Sequence, residues 1–377
     1  MLASAYTFAL YAAQPKQYPW YFEQNGVEKC WQQGIRGQGT KVYLIDTEVA
    51  DVEPLKRKFT QEFHNMNSAE KDNKDKLHGT AMAGLIVAEY RILNEKSNKT
   101  KKVIIAGIAP DSFIESHVWK PGGKISEAVL SSAQDIIKIN SEGKNIVPSD
   151  DDVPGIGISI MNISGGISKK EDSKEEKDQN VFDNENYQLS FDDQVTHLDD
   201  IIRNELKTRN TLIIAGVGND GIEITLSNYK DSGIFPGAFK RQRNKDNILR
   251  VAGLLEYDSK TPATLSQKSN YGIDFTDIAA PGLTPVLTED GTAIEKTFGT
   301  SNAAAITSGA VALLKSCSPY ASVVELREVI LSSASSAETL KGKVDGQRVL
   351  NIWQAVQAFC KKKISKKPYD KSIKDDL

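Results

Sequence analysis

The feature that most constrains this chain is a set of short, almost unbroken apolar runs separated by longer stretches of helical character. Lys41–Ile45, Val103–Ala106, Ile158–Ile163, Thr211–Gly216 and Ile248–Gly253 are rich in β-branched residues and too short for helices. A strand with one wet face alternates apolar and polar residues, whereas a strand apolar throughout is covered on both faces. Between these runs, Thr80–Tyr90, Ser126–Asn140, Leu198–Thr208 and Asn302–Lys315 read as helices. The alternation predicts an α/β fold of three layers with a mostly parallel central sheet. Ligands of such sheets bind beyond the carboxyl ends of the strands, so the chemistry belongs in the turns that follow the runs.

The bulk numbers exclude several classes. With 377 residues and 39% hydrophobic content the chain has material for a sizeable core. A net charge of −3 and the lack of a basic patch with interleaved aromatics argue against nucleic acid. No apolar run reaches the ~18 residues of a membrane span. Leu2–Ala13 is fairly apolar, but it lacks the basic start of a secretory leader. Cys30, Cys317 and Cys360 are odd in number and have no C-x-x-C spacing. That argues against a disulfide framework or a zinc site and leaves one pair able to bridge. Asn140–Pro154, Lys169–Asp193 and the shorter Asn94–Lys102 are polar and aperiodic, and read as surface loops. The expected organisation is an N-terminal extension over 1–23, one domain over 24–360 and a charged tail over 361–377.

Three positions stand out chemically. Asp46 ends the first strand run, where α/β sites form, although an acid there can also cap the next turn. His78 opens HGTAMAGLIVA, which suits an imidazole at the head of a buried helix, with Gly79 permitting another segment to approach. Ser301 lies in FGTSNAAAITSGAVALL, so its hydroxyl falls in the first turn of an Ala-rich helix. Orphan backbone N–H groups and the helix dipole favour developing negative charge there; the plainer reading is that Thr300 or Ser301 is an N-cap. Together the three supply a nucleophile, the base that removes its proton and the carboxylate that orients the base, in the order Asp, His, Ser.

These signatures resemble those of the subtilisin-like serine proteases, the subtilases. The resemblance runs from about Gln24 to Phe359 and takes in GIRGQGTKVYLIDT, HGT, GTS, GIAP at Gly107–Pro110, SNYG at Ser269–Gly272, APG at Ala280–Gly282 and GQRVLNIWQAV. It implies a subtilisin-like fold and peptide hydrolysis through Asp46, His78 and Ser301. VGNDG at Val217–Gly221 resembles the family's Gly-Asn-x-Gly, which implies Asn219 as the oxyanion donor beside the Ser301 N–H. KPGGKIS and NISGG resemble peptide-holding edges, implying substrate contacts at Gly122, Gly123, Ser164, Gly165, Gly166 and Gly218. The partner implied is a protein or peptide substrate, with a prodomain or inhibitor outside this chain also in keeping with the family. No cofactor is implied for catalysis. Calcium often stabilises such proteins, and Asp151/Asp152 and Asp192/Asp193 are acid pairs, but they do not make up a coordination sphere by themselves. The family favours secretion.

Departures from the pattern accompany these matches. Glu48 stands where the family has Gly, and would be strained if that position required positive φ. Asn302 replaces the usual Met after the serine, Ala305 the usual Pro, and Gly165 the usual Leu, which would open the wall of the main specificity pocket. Only 45 residues precede Asp46, too few for a prodomain plus the family's lead-in. Two alternatives keep the fold: a catalytically silent binding or regulatory protein, or a ligase or cyclase in which an amine captures the acyl-enzyme. A nucleotide-binding domain would need a Gly-rich loop after the first strand, and TEVADVEP offers none.

Overall fold

The computed structural model describes residues 18–59, 77–118, 129, 159–164, 200–202, 210–229 and 246–361. Numbered along these residues, helices α1 (Trp20–Asn25) and α2 (Val27–Gln32) precede β1 (Lys41–Asp46), α3 (Leu77–Val87), β2 (Arg91–Asn94), β3 (Lys102–Ile105) and β4 (Phe113–Val118). Then come β5 (Ser159–Ile163), β6 (Thr211–Gly216), β7 (Ile248–Leu254), β8 (Ile278–Pro281), β9 (Leu283–Leu287) and β10 (Ala293–Phe298). The chain closes with α4 (Thr300–Cys317), α5 (Val323–Ser332), β11 (Ser335–Ser336), β12 (Arg348–Val349) and α6 (Ile352–Phe359).

An eight-stranded sheet in the order β11-β12-β8-β7-β6-β5-β1-β4 forms the centre. Its pairings are parallel apart from β11 with β12, as the apolar runs predict. Strands β5, β6 and β7 are buried at every residue. In β7, Leu249 and Val251 join the core on one face while Ala252 and Leu254 join a second cluster with Ile224, Phe275 and Val349. The strand order reverses at β1, which has β4 on one side and β5 on the other. That reversal opens a crevice at the carboxyl end of β1.

Two strands depart from the sequence reading. The Val103–Ala106 run does not enter the central sheet; β3 pairs antiparallel with β2, and Asn94–Lys102 forms the turn of that hairpin. β4 reads FIESHV, whose polar residues hide it from an apolar-run search, yet Glu115 is buried against Lys41 (3.3 Å) and the strand completes the edge beside β1. Ser126–Asn140, Leu198–Thr208, the loops 140–154 and 169–193 and the tail beyond Lys361 lie wholly or almost wholly outside the described residues.

α4 is buried along nearly its whole length, lying on β5 to β8 and beside α3. Its Ala and Gly residues permit that closeness: a Cβ on Gly309 would come within 2.6 Å of Ile108 Cβ. Beside it, Arg250 is fully buried and binds Asp246 (2.8 Å) and Asp277 (3.0 Å), with Arg327 on the other Asp277 oxygen (2.8 Å).

The cysteine pair able to bridge is Cys317 with Cys360, which ties the end of α4 to the end of α6; Cys30 is free and buried. The bridge spans 43 residues, so a loop-closure account assigns it roughly 4 kcal/mol. Urea unfolding with and without reductant is expected to show a clear drop in midpoint on reduction. Superimposable curves would contradict that contribution.

Candidate active site

Asp46 is 2% exposed at the crevice end of β1. The Thr47–Ala50 turn after it locks onto the first turn of α3 through four bonds. Thr47 N–H donates to Asp46 Oδ1 (2.8 Å), His78 Nδ1 lies 2.7 Å from the same oxygen, Gly79 N–H donates to Thr47 Oγ1 (2.9 Å) and Ala50 N–H donates to Thr80 Oγ1 (2.8 Å). The approach is close enough that a Cβ on Gly79 would meet the Thr47 carbonyl oxygen at 2.2 Å. Glycine is therefore required by contact with the turn. Glu48 sits in this turn without backbone strain: among the described residues, the non-glycines with positive φ are Arg57, Asn210 and Gln347.

Two opposing effects act on His78. Packing into the crevice lowers its pKa, while the Asp46 charge and hydrogen bond raise it by more, so the imidazole binds a proton more tightly than an ordinary histidine. The side chain keeps 44% of its area open, which leaves the ring reachable from the crevice.

The N-cap of α4 is Gly299 in extended conformation (φ −167°, ψ 142°), with no side-chain cap. Neither Thr300 nor Ser301 is the cap, so that alternative is not realised. Instead Thr300 N–H donates to Asn219 Oδ1 (2.8 Å), and Thr300 Oγ1 accepts from Gly218 N–H (3.1 Å). This consumes the carbonyl of Asn219 and leaves its NH₂ as a donor. Asn302 N–H bonds to the Gly299 carbonyl (3.1 Å), while no acceptor lies on the Ser301 N–H among the described residues. Ser301 is 6% exposed, and its hydroxyl donates to the Ser164 carbonyl (3.2 Å). Gly216, at the end of β6, lets this turn in: a Cβ there would lie 2.8 Å from Thr300 Oγ1.

Asp46 and His78 are thus in contact, Ser301 meets Ser164, and Asn219 and Gly218 meet the residue preceding Ser301. Gly122, Gly123, Gly165 and Gly166 lie outside the described residues, as do Asp151, Asp152, Asp192 and Asp193. Among the described residues no group of three or more His, Cys, Asp and Glu is arranged to hold a metal ion. Sequence reading missed the side chains that brace the site. Asn162 Nδ2 donates to Ser164 Oγ (2.7 Å) and Asn162 Oδ1 accepts from Ser308 Oγ (3.0 Å). Asn270 Oδ1 accepts from the Asp220 and Ile222 N–H groups (3.0 Å each) and steadies the turn carrying Asn219. NISGG and SNYG marked these segments, but their partners are distant in sequence.

The model of the Subtilase family matches residues 37–352. This chain belongs to the subtilase family, whose members are serine peptidases. The subtilase is 28% identical to the enzymatic A-subunit of the subtilase cytotoxin of Escherichia coli, over 96% of each chain. It is similar to the crystal structure of the A-subunit of the AB5 toxin from E. coli, with TM-score 0.65, 28% identity and coverage of 91% of this chain and 99% of that one. A cold-adapted subtilisin-like serine proteinase shares the fold, with TM-score 0.52, 18% identity and coverage of 84% and 89%.

Gly79→Ala forces Thr47 and α3 apart and is expected to cost about 1–3 kcal/mol of stability, the usual range for overpacking. Thermal denaturation measures it; a Tm equal to the parent's would mean the contact is looser than the geometry requires.

Proposed function

We propose that this subtilase is an endopeptidase in which Ser301 is the nucleophile. His78 Nδ1–H donates to Asp46, which leaves Nε2 free to accept the Ser301 proton as the Oγ–carbon bond forms. His78 then returns that proton to the amide nitrogen as the carbon–nitrogen bond breaks, and water hydrolyses the acyl-enzyme by the same relay. The Asn219 NH₂ and the Ser301 N–H hold the oxyanion. Ser164, Gly218 and the glycines Gly122, Gly123, Gly165 and Gly166 take the extended peptide by main-chain bonds. The observation that carries this reading is the 2.7 Å Asp46–His78 bond at the strand-order crevice. The unpaired first-turn N–H at Ser301 supports it.

The Ser301 bond to the Ser164 carbonyl favours a second reading, a folded but silent subtilase-like binding protein. Against it, catalytic hydrogen bonds often tighten only when substrate is bound, and rotation of one hydroxyl frees Ser301. A fluorophosphonate probe separates the two. Label on Ser301, lost together with proteolysis in Ser301→Ala, is the expected result; a folded chain that takes no label supports the silent protein. Product masses distinguish hydrolysis from transfer of the acyl group to an amine.

The Cys317–Cys360 bridge and the end-to-end likeness to one component of a cytotoxin support a narrower form of this proposal: an exported peptidase that works as the enzymatic component of a larger toxin. Purification from its native source is expected to bring a second polypeptide with it, and a lone chain would contradict this form.

Two further outcomes are expected. Asn219→Ala lowers kcat by about 10²–10³, or ~2.7–4 kcal/mol of transition-state stabilisation. His78 must be neutral to accept a proton, and its pKa is raised, so kcat/KM falls as pH drops through a value above the ~6.5 of an unperturbed histidine. Asp46→Asn removes the charge that raises it and is expected to move this acid limb to lower pH. A limb at or below the unperturbed value in the parent would contradict the assignment.

A further inference from the structure

We propose that Asn302 is a positioning residue that sets the direction of the Ser301 N–H; this rests on the reading of Ser301 as nucleophile. Asn302 is 2% exposed, and a buried amide needs partners for its hydrogens. Its Nδ2 donates to the Thr297 carbonyl (2.8 Å), the Gly282 carbonyl (3.1 Å) and Thr284 Oγ1 (3.1 Å), so its two hydrogens are shared among three acceptors. All three lie on the segments that lead to the nucleophile. Gly282 joins β8 to β9, Thr284 opens β9, and Thr297 is near the end of β10, four residues before Ser301.

Strand pairing alone holds this lead-in poorly, because the β9–β10 register is irregular between Ile294 and Thr297. Asn302 makes its shortest bond where the irregularity ends. Two further contacts close the lead-in: Gly299 N–H donates to Gly282 O (3.1 Å), and the Phe298 ring sits in a slot where a Cβ on Gly253 or Gly282 would come within 2.8 or 2.9 Å of it. The helix itself has no capping side chain at Gly299. Its first turn is therefore held from outside the helix. Asn219 takes Thr300, the residue before Ser301, and the side chain of Asn302, the residue after it, anchors the other side. Ser301 lies between two fixed neighbours, and its N–H direction follows from them. The apolar side chain that the family usually carries at this position has no donor for these three acceptors.

The test is kcat per active site, with sites counted by fluorophosphonate titration, in Asn302→Ala and Thr284→Val. A misplacement of about 1 Å can cost around 10²-fold in rate. Asn302→Ala is accordingly expected to lower kcat per titrated site about ten- to a hundredfold, with KM within about threefold. Thr284→Val leaves the two carbonyl acceptors and is expected to lower it by only a few fold. A lower Tm with unchanged kcat per titrated site, or a loss carried by KM, would overturn the proposal and leave Asn302 a structural residue. If Asn302→Ala does not fold, Thr284→Val decides, and an unchanged kcat per site there overturns it. A parent enzyme that takes no label overturns the reading of Ser301 itself, and this inference with it.

Discussion

The arrangement of the site depends on one close contact, that of the buried helix α4 with the central sheet. A helix covered on all sides has no amphipathic stripe to orient it, so small residues and their clearances do the orienting. Gly309 admits Ile108, and Gly216 admits Thr300 at the end of β6. The second contact decides the chemistry. It brings the first turn of α4 to the carboxyl end of a parallel strand, where the turn carrying Asn219 can take the Thr300 N–H. A larger side chain at Gly216 would move Ser301 away from Ser164 and Asn219 at once.

Against that fixed helix, the Asp46–His78 pair is an electrostatic balance. Burial of the imidazole opposes its charged form and the adjacent carboxylate favours it; the carboxylate prevails. The geometry is held by reciprocal bonds between the Thr47–Ala50 turn and α3, in which Thr47 and Thr80 each satisfy the other segment's backbone. Asp46 therefore has no freedom to turn away from His78 without breaking the helix start. Ser301 differs. Its hydroxyl rests on a carbonyl, and rotation about one bond is enough to redirect it.

Other stabilising devices lie away from these residues. Arg250, Asp246, Asp277 and Arg327 form a buried network with Arg250 and Asp277 fully enclosed. Its desolvation cost is large, so its value lies less in net stability than in what the loss of one member would leave unpaired. The Cys317–Cys360 bridge ties the far end of α4 to α6. Together they hold α4 and the sheet from the side opposite the crevice, and the crevice residues are left to their chemistry.

Much of this was readable from residue order alone. The continuous apolar runs of β1, β5, β6 and β7 announced a doubly covered parallel sheet, because a strand buried on both faces has no polar alternation. Asp46, His78 and Ser301 were visible because each sits at a strand or helix end in an unusual local context. β4 was invisible: its Glu115 and His117 look exposed until Lys41 and Tyr43 are placed beside them. The Val103–Ala106 run was misread, since an apolar tetrapeptide does not say which sheet it joins. Asn162, Asn270 and Asn302 look like ordinary polar residues, and the choice of Cys360 over Cys30 as partner for Cys317 is equally silent. The sequence by itself determined the layers, the strand ends and the reactive groups, because hydrophobic periodicity and turn chemistry act over neighbouring residues. Only the tertiary structure decided which polar groups meet, because a hydrogen bond requires its two atoms within about 3 Å, and sequence separation carries no record of that distance.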